Sequence, residues 1–205
     1  MCRTSDSGHQ RPASMSGGLP LEFACRRMTS GQPQGRPMML GNLNEILPEP
    51  ISDESQEIIL ELLKRKMTGS ADLAVRLLHA MEERFGPEAR DVMRQMAASP
   101  SATPRETVGD PATDLHEFTG ALERGCVGSH RWERITDEPD RVGYLFFGCL
   151  WAEIYRDLGE PELGFAFCAT DEPNVKAHNP GLGFTRTKVL MNGDEACNHV
   201  FFVES

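Results

Sequence analysis

The apolar residues of this chain change period part-way along, and that change limits the fold more than any other feature. From Ser52 the spacing is helical. Ser52-Asp53-Glu54 supplies a cap and first-turn acids, and Ile58, Ile59, Leu62 and Leu63 follow at helical intervals. Lys64-Arg65-Lys66 then stands where a helix dipole favours cations. Thr68-Gly69 predicts a break. A second helix is expected from Ser70 or Asp72, with Leu73, Leu77, Leu78, Met81 and Phe85 in phase, closed by Gly86-Pro87. A third runs from about Glu88 through Val92, Met93 and Met96. Together they read as a helical hairpin with an extension, covering the rest of the domain.

Residues 98–111 hold three Pro and read as a loop. Ala112 to Arg124 suits a short helix with Leu115, Phe118 and Leu122 inward. The period then shortens to that of strands around Arg131–Thr136 and Val142–Phe147, joined by a turn at Asp137-Glu138-Pro139-Asp140. Leu150 to Leu158 returns to helix and stops at Gly159; Pro161 opens another helix that continues to about Thr170. Gly183–Leu190 and Ala196–Val203 read as two strands around Asn192-Gly193-Asp194. Helices first, then mixed helices and an antiparallel sheet, make the class α+β. A single domain is expected over 52–205, with a helical part 52–97, the loop 98–111 and a site-bearing part 112–205.

Residues 1–42 show neither period and are rich in Gly, Pro, Ser, Arg and Gln, so they are expected to be disordered. Their Arg- and Ser-rich, acid-poor composition also suits an organellar transit peptide. A start codon placed too early is the preferred reading, since Met15, Met28, Met38 and Met39 offer later ones. Charge divides at the same point: five Arg against Asp6 and Glu22 before residue 43, and 16 basic against 29 acidic residues after it. A body that acidic repels phosphate backbones, which argues against a nucleic-acid partner. No run approaches the roughly 18 apolar residues of a membrane span. The six cysteines are widely and irregularly spaced and no secretory signal precedes them, so a reducing, cytoplasmic setting is expected.

Three of those cysteines stand beside other reactive groups. Cys149 lies where a strand turns into a helix, so free N–H groups there favour a thiolate. Cys168 and Asp171 are three apart and share a face if their segment is helical; Cys197 and His199 are two apart and point the same way in a strand. No CxxC or zinc-finger spacing occurs, and burial as small core residues accounts for the same cysteines equally well. Arg186-Thr187 interrupts an apolar strand, as a carboxylate-binding guanidinium or as a solvent-facing edge residue. Glu153, one turn after Cys149, is a general acid/base or a solvated carboxylate. His178-Asn179-Pro180 reads as a turn, Trp132 and Trp151 as core, His79 and His116 as structural.

In order along the chain stand Cys149, Ala152-Glu153, Tyr155-Arg156, Leu158-Gly159, Pro161-Glu162-Leu163-Gly164, Cys168 with Asp171, Asn179-Pro180, Arg186-Thr187, and Gly193 with Cys197. This series resembles the L-2-amino-thiazoline-4-carboxylic acid hydrolase family, over about residues 52–205 and most densely from 149 onward. One departure is Cys197-Asn198-His199, where the family pattern has Cys-Asp followed by Phe or His.

The resemblance implies hydrolytic opening of a cyclic amidine: water adds to C2 of a 2-aminothiazoline, the C–S bond breaks and N-carbamoyl-L-cysteine forms. It implies convergence of Cys149, Cys168 and Cys197, either with one acting as thiolate nucleophile or as Zn²⁺ ligands with His199 or Asp171. Asp171 would act as base or orienter, and Arg186, with Thr187 and Asn179, would bind a small-molecule substrate. The alternative is a non-catalytic small-molecule- or metal-binding module on the same fold.

Overall fold

Met67, Ala71, Val75 and Leu78 recur on one buried face across the position where a break is expected, and helix α1 (Asp53–Phe85) passes through Thr68-Gly69 unbroken for 33 residues. An interior glycine costs about 1 kcal/mol, whereas burying one Val, Leu or Met contributes roughly 1.5–3 kcal/mol. Packing on both sides of Gly69 therefore outweighs the local preference. The computed structural model describes Asn44 and residues 47–205; the segment 1–42 lies outside the described residues.

The ends of α1 follow its sequence signals. Ser52 Oγ accepts from the Ser55 N–H at 3.2 Å, and Gly86 closes the helix with φ 91°. Helix α2 (Glu88–Ala97) buries Ala89, Met93 and Ala97. Its Arg90 joins Glu82 of α1 (2.8 Å) to Glu160 (2.7 Å), fixing the helical pair to the C-terminal half. Helix α3 (Pro111–Cys126) starts at an Asp110 cap on the Thr113 N–H and carries Leu115 and Thr119 inward.

Strands β1 (His130–Glu138) and β2 (Arg141–Cys149) form the expected hairpin, longer at both far ends than the period indicates. They are followed by α4 (Leu150–Asp157), α5 (Pro161–Cys168), α6 (Asp171–His178), β3 (Leu182–Thr185), a single 3₁₀ turn (Leu190–Asn192) and β4 (Cys197–Val203). The sheet is antiparallel throughout in the order β1-β2-β4-β3, so the fold is α+β. Val142, Tyr144, Phe146, Leu182 and Phe201 point into the core beneath the helices, while Ile135 and Phe147 remain exposed on the other face. No described helix is long and apolar enough to cross a membrane.

Two further elements differ from expectation. Helix α6 is not anticipated, and it places Cys168 and Asp171 on separate helices rather than on one face. Strand β3 ends at Thr185, so Arg186 lies beyond it instead of in mid-strand. The cause is competition for backbone donors. Asn198 Oδ1 accepts from the N–H groups of Thr187 (3.0 Å) and Lys188 (2.6 Å), Asp194 Oδ2 from Val189 (2.7 Å), and Cys197 Sγ from Leu190 (3.1 Å). Four consecutive donors go to side chains, so the ladder cannot continue.

Candidate active site

The hairpin register sets His130 directly opposite Cys149, the last residue of β2. Their side chains meet, with Cys149 Sγ 3.3 Å from His130 Nε2. On the other side of the ring, Nδ1 is 2.9 Å from Ser129 Oγ, and that hydroxyl donates to the Cys126 carbonyl at 3.1 Å. A hydroxyl that donates to a carbonyl accepts from its other neighbour. The proton of the neutral imidazole is thereby assigned to Nδ1, and the Nε2 lone pair faces the thiol. That is the tautomer a general base requires.

Cys149 is also the cap residue of α4, in extended conformation with φ −148°. Burial pushes its thiol up to about 11, while N–H groups of Ala152 and Trp151 in the first turn of α4 hold it from rising further. Burial likewise brings His130 down to about 4, so near neutral pH the pair is a thiol beside an uncharged imidazole.

Both groups open onto a cavity of about 450 Å³. Arg186, almost fully enclosed, lines the same cavity, pairs with Asp171 at 2.5 Å and donates to the Cys168 carbonyl at 3.2 Å. Burial lifts Asp171 to about 6 even against the pull of that guanidinium. His199 adjoins this pair, with Nε2 3.4 Å from Arg186 Nη1. Arginine only donates, so the His199 proton sits on Nδ1, a buried atom with no hydrogen-bond partner. Burial first, then the charge of Arg186, brings this imidazole down to about 3. Trp151, Tyr155 and Phe167 complete the wall, their rings stacked in sequence at 6.2 and 5.9 Å.

Of the residues singled out in the sequence, Cys149, Cys168, Asp171, Arg186, Cys197 and His199 all line this cavity. Thr187 and Asn179 do not. Thr187 is exposed and accepts from Asn198 Nδ2 at 2.8 Å. Asn179 is buried elsewhere, donating to Asp114 Oδ2 at 2.8 Å and accepting from the Gly181 N–H at 2.7 Å, where it ties α3 to the start of β3. Glu153 is half-exposed and faces Lys64 at 3.9 Å, the solvated reading of that carboxylate.

The four proposed zinc ligands do not fit a ready metal site. Among the described residues, the one group of three ligand atoms within 4.8 Å of one another is Asp114, Glu117 and His178, none of which lines the cavity. Arg105 stands among them, 3.3 Å from Asp114 and 3.1 Å from His178, and supplies the positive charge there. In the cavity, burial raises Cys168 to about 12 and Cys197 above its ordinary value, so without a cation beside them both are neutral thiols.

His130 and Ser129 are the site residues not anticipated from the sequence. The turn is shorter than expected, with Glu138 opposite Arg141, and two register shifts along the hairpin cancel, so His130 meets Cys149 where a count from an Asp137–Asp140 turn would place Phe147.

The sequence profile described as "L-2-amino-thiazoline-4-carboxylic acid hydrolase" matches residues 66–201, about two thirds of the chain. The chain belongs to this family. The match spans every cavity-lining residue discussed above, from His130 at the start of β1 to His199, as well as the second half of α1. No curated protein matches the chain significantly. Among solved structures, a crystal structure of the phenol-responsive sensory domain of the transcription activator PoxR with phenol is similar at 11% identity and a TM-score of 0.33. That similarity covers 62% of this chain and 71% of the other.

Proposed function

We propose that this member of the family hydrolyses a small cyclic amidine such as L-2-amino-thiazoline-4-carboxylate to N-carbamoyl-L-cysteine, with Cys149 as nucleophile and His130 as its base. The 3.3 Å contact between Sγ and Nε2, with the imidazole proton turned away, carries this reading. His130 takes the thiol proton as sulfur adds to C2 of the ring. The ring C–S bond then breaks, and the departing sulfur takes the proton back from His130. The product is an isothiourea linked to Cys149. Water, deprotonated by His130, adds to the same carbon; the bond to Cys149 breaks and the thiol is reprotonated. The sum is one water added, one ring C–S bond lost, and a urea and a free thiol formed.

The Asp171–Arg186 pair in the same cavity suits the charged groups of such a substrate. An amidinium and a carboxylate present the same two charges as that pair. Asp171 accepts from the amidine nitrogens and Arg186 holds the carboxylate, each in exchange for its present partner. Cys197 takes a supporting part, because its sulfur accepts the Leu190 N–H and fixes the loop after Arg186.

The test is incubation of the purified chain with L-2-amino-thiazoline-4-carboxylate, following the new thiol and the carbamoyl product. Product formation that disappears in Cys149→Ser supports the reading, and intact-mass detection of an adduct on Cys149 strengthens it. Binding without turnover, or undiminished turnover in Cys149→Ser, overturns it; binding without turnover is the outcome a non-catalytic module gives.

A further inference from the structure

Helix α1 has a second apolar face that the core does not use. Ile58, Ile59, Leu62, Leu73 and Leu77 are between 40 and 65% exposed. At about 100° per residue they fall, with Gly69, in one arc of about 100°, opposite the buried face of Met67, Ala71 and Leu78. An apolar stripe on an exposed surface, crossed near its middle by Lys66 and Gly69, marks a contact site.

The stripe has a two-fold pattern along its length. Ile58 precedes a point near residue 68 by as much as Leu77 follows it, and Leu62 and Leu73 are related in the same way. Gly69 lies next to that point, and a Cβ built there meets nothing within 4 Å. The exposed edge of the arc carries Glu61, Arg65, Asp72 and Arg76. Lay a second copy of α1 antiparallel about that point, and Glu61 meets Arg76 of the partner subunit while Arg65 meets Asp72 of the partner subunit. Symmetry repeats each contact, giving opposite charges at all four. A parallel two-fold pair would instead put the two charged edges on opposite flanks of the seam, so none of these four contacts would form.

We propose that the chain forms a two-fold dimer through an antiparallel pairing of α1, centred beside Gly69, with Ile58, Leu62, Leu73 and Leu77 as its apolar seam. A two-fold interface is self-complementary, as this pattern is. The glycine, which the helix itself disfavours, lets the two backbones approach at the crossing.

Light scattering of the full chain across the micromolar range tests this, with Leu62→Glu and Leu73→Glu as variants whose helicity is checked by circular dichroism. The expected result is a dimer for the native chain and at least about 100-fold weaker association for each variant. Glu61→Arg and Arg76→Glu should each weaken the dimer, and the double exchange should restore it. Register is read by oxidative cross-linking above the native background. Gly69→Cys joins to itself, whereas Leu62→Cys does not, because its two copies lie about 16 Å apart along the antiparallel pair. A monomeric full chain overturns the proposal, including one in which residues 1–42 fold onto the stripe. So does association untouched by Leu62→Glu, or self-linking at Leu62→Cys equal to that at Gly69→Cys.

Discussion

The His130–Cys149 pair of the cavity rests on a β-hairpin ladder and the first turn of α4, whereas the Asp171–Arg186 pair rests on a helix start and a loop held by side chains. In the first, regular backbone bonds set the distance between two reactive atoms. In the second, Asn198, Asp194 and Cys197 take over donors that a strand would have used, and so turn Arg186 inward. Regular structure gives a fixed pair suited to bond-making. The side-chain-held loop gives a buried ion pair whose partners can be exchanged for those of a ligand.

Substitutions at the two pairs should separate these roles, beginning with the nucleophile. Cys149→Ser should lower kcat by about 10⁴-fold, with unchanged thermal stability, since a serine hydroxyl beside a neutral imidazole is a far weaker nucleophile. His130→Ala should cost about 10²–10⁴-fold in kcat with KM little changed. At the other pair, Arg186→Ala should act mainly through KM and should also destabilise the fold by about 3 kcal/mol, because Asp171 is left buried without its partner. Denaturant unfolding beside steady-state kinetics would show whether the two effects travel together.

Asn198→Ala should lower kcat/KM by about tenfold and stability by about 1–3 kcal/mol, from two backbone donors losing their acceptor. Asn198→Asp should do less, since a carboxylate still accepts both bonds and only the donation to Thr187 is lost. The smallest effect is expected from pH. With His130 near 4 and Cys149 near 11, the dyad should give kcat/KM no limb around 6.5, and the one limb expected in that region is that of Asp171 near 6. A step near 6.5 that persists in Asp171→Asn would mean that the dyad is an ion pair or that His130 is not the base.

Stability should also respond between pH 6.5 and 4. His130 and His199 are depressed in the folded chain, so unfolding takes up protons as pH falls through that window, and stability declines by up to about 1.4 kcal/mol per pH unit for each. Asp171, raised to about 6, opposes them: the folded chain holds a proton there that the unfolded chain releases, which favours folding as pH drops. Two histidines against one aspartate leave a net loss toward acid, and Asp171→Asn should steepen it.

The period change at Ser52 and the turn at Asp137–Asp140 made the α+β class and the hairpin legible, because apolar spacing reports which face is buried. Cys149, Cys168, Asp171, Arg186, Cys197 and His199 were legible as neighbours because each marks an element boundary or the resembled pattern. His130 was not, since its importance comes from a cross-strand partner 19 positions away. Asn179 was misleading in the opposite sense: its role beside Pro180 is to satisfy Asp114 and Gly181, a tertiary need with no local signature. The unbroken α1 was hidden because Gly69 and Thr68 report local preference alone, while Met67 and Ala71 decide the outcome by burial.

That unbroken helix has one further consequence. Ser70 and Ala74 on one side of α1 border the cavity, and Leu73 and Leu77 one step round the same turns form the outer seam. A single rigid rod thus carries both surfaces, and anything that shifts it at one is felt at the other. Filling the cavity and joining two chains then become thermodynamically linked events, each altering the equilibrium constant of the other by the same factor.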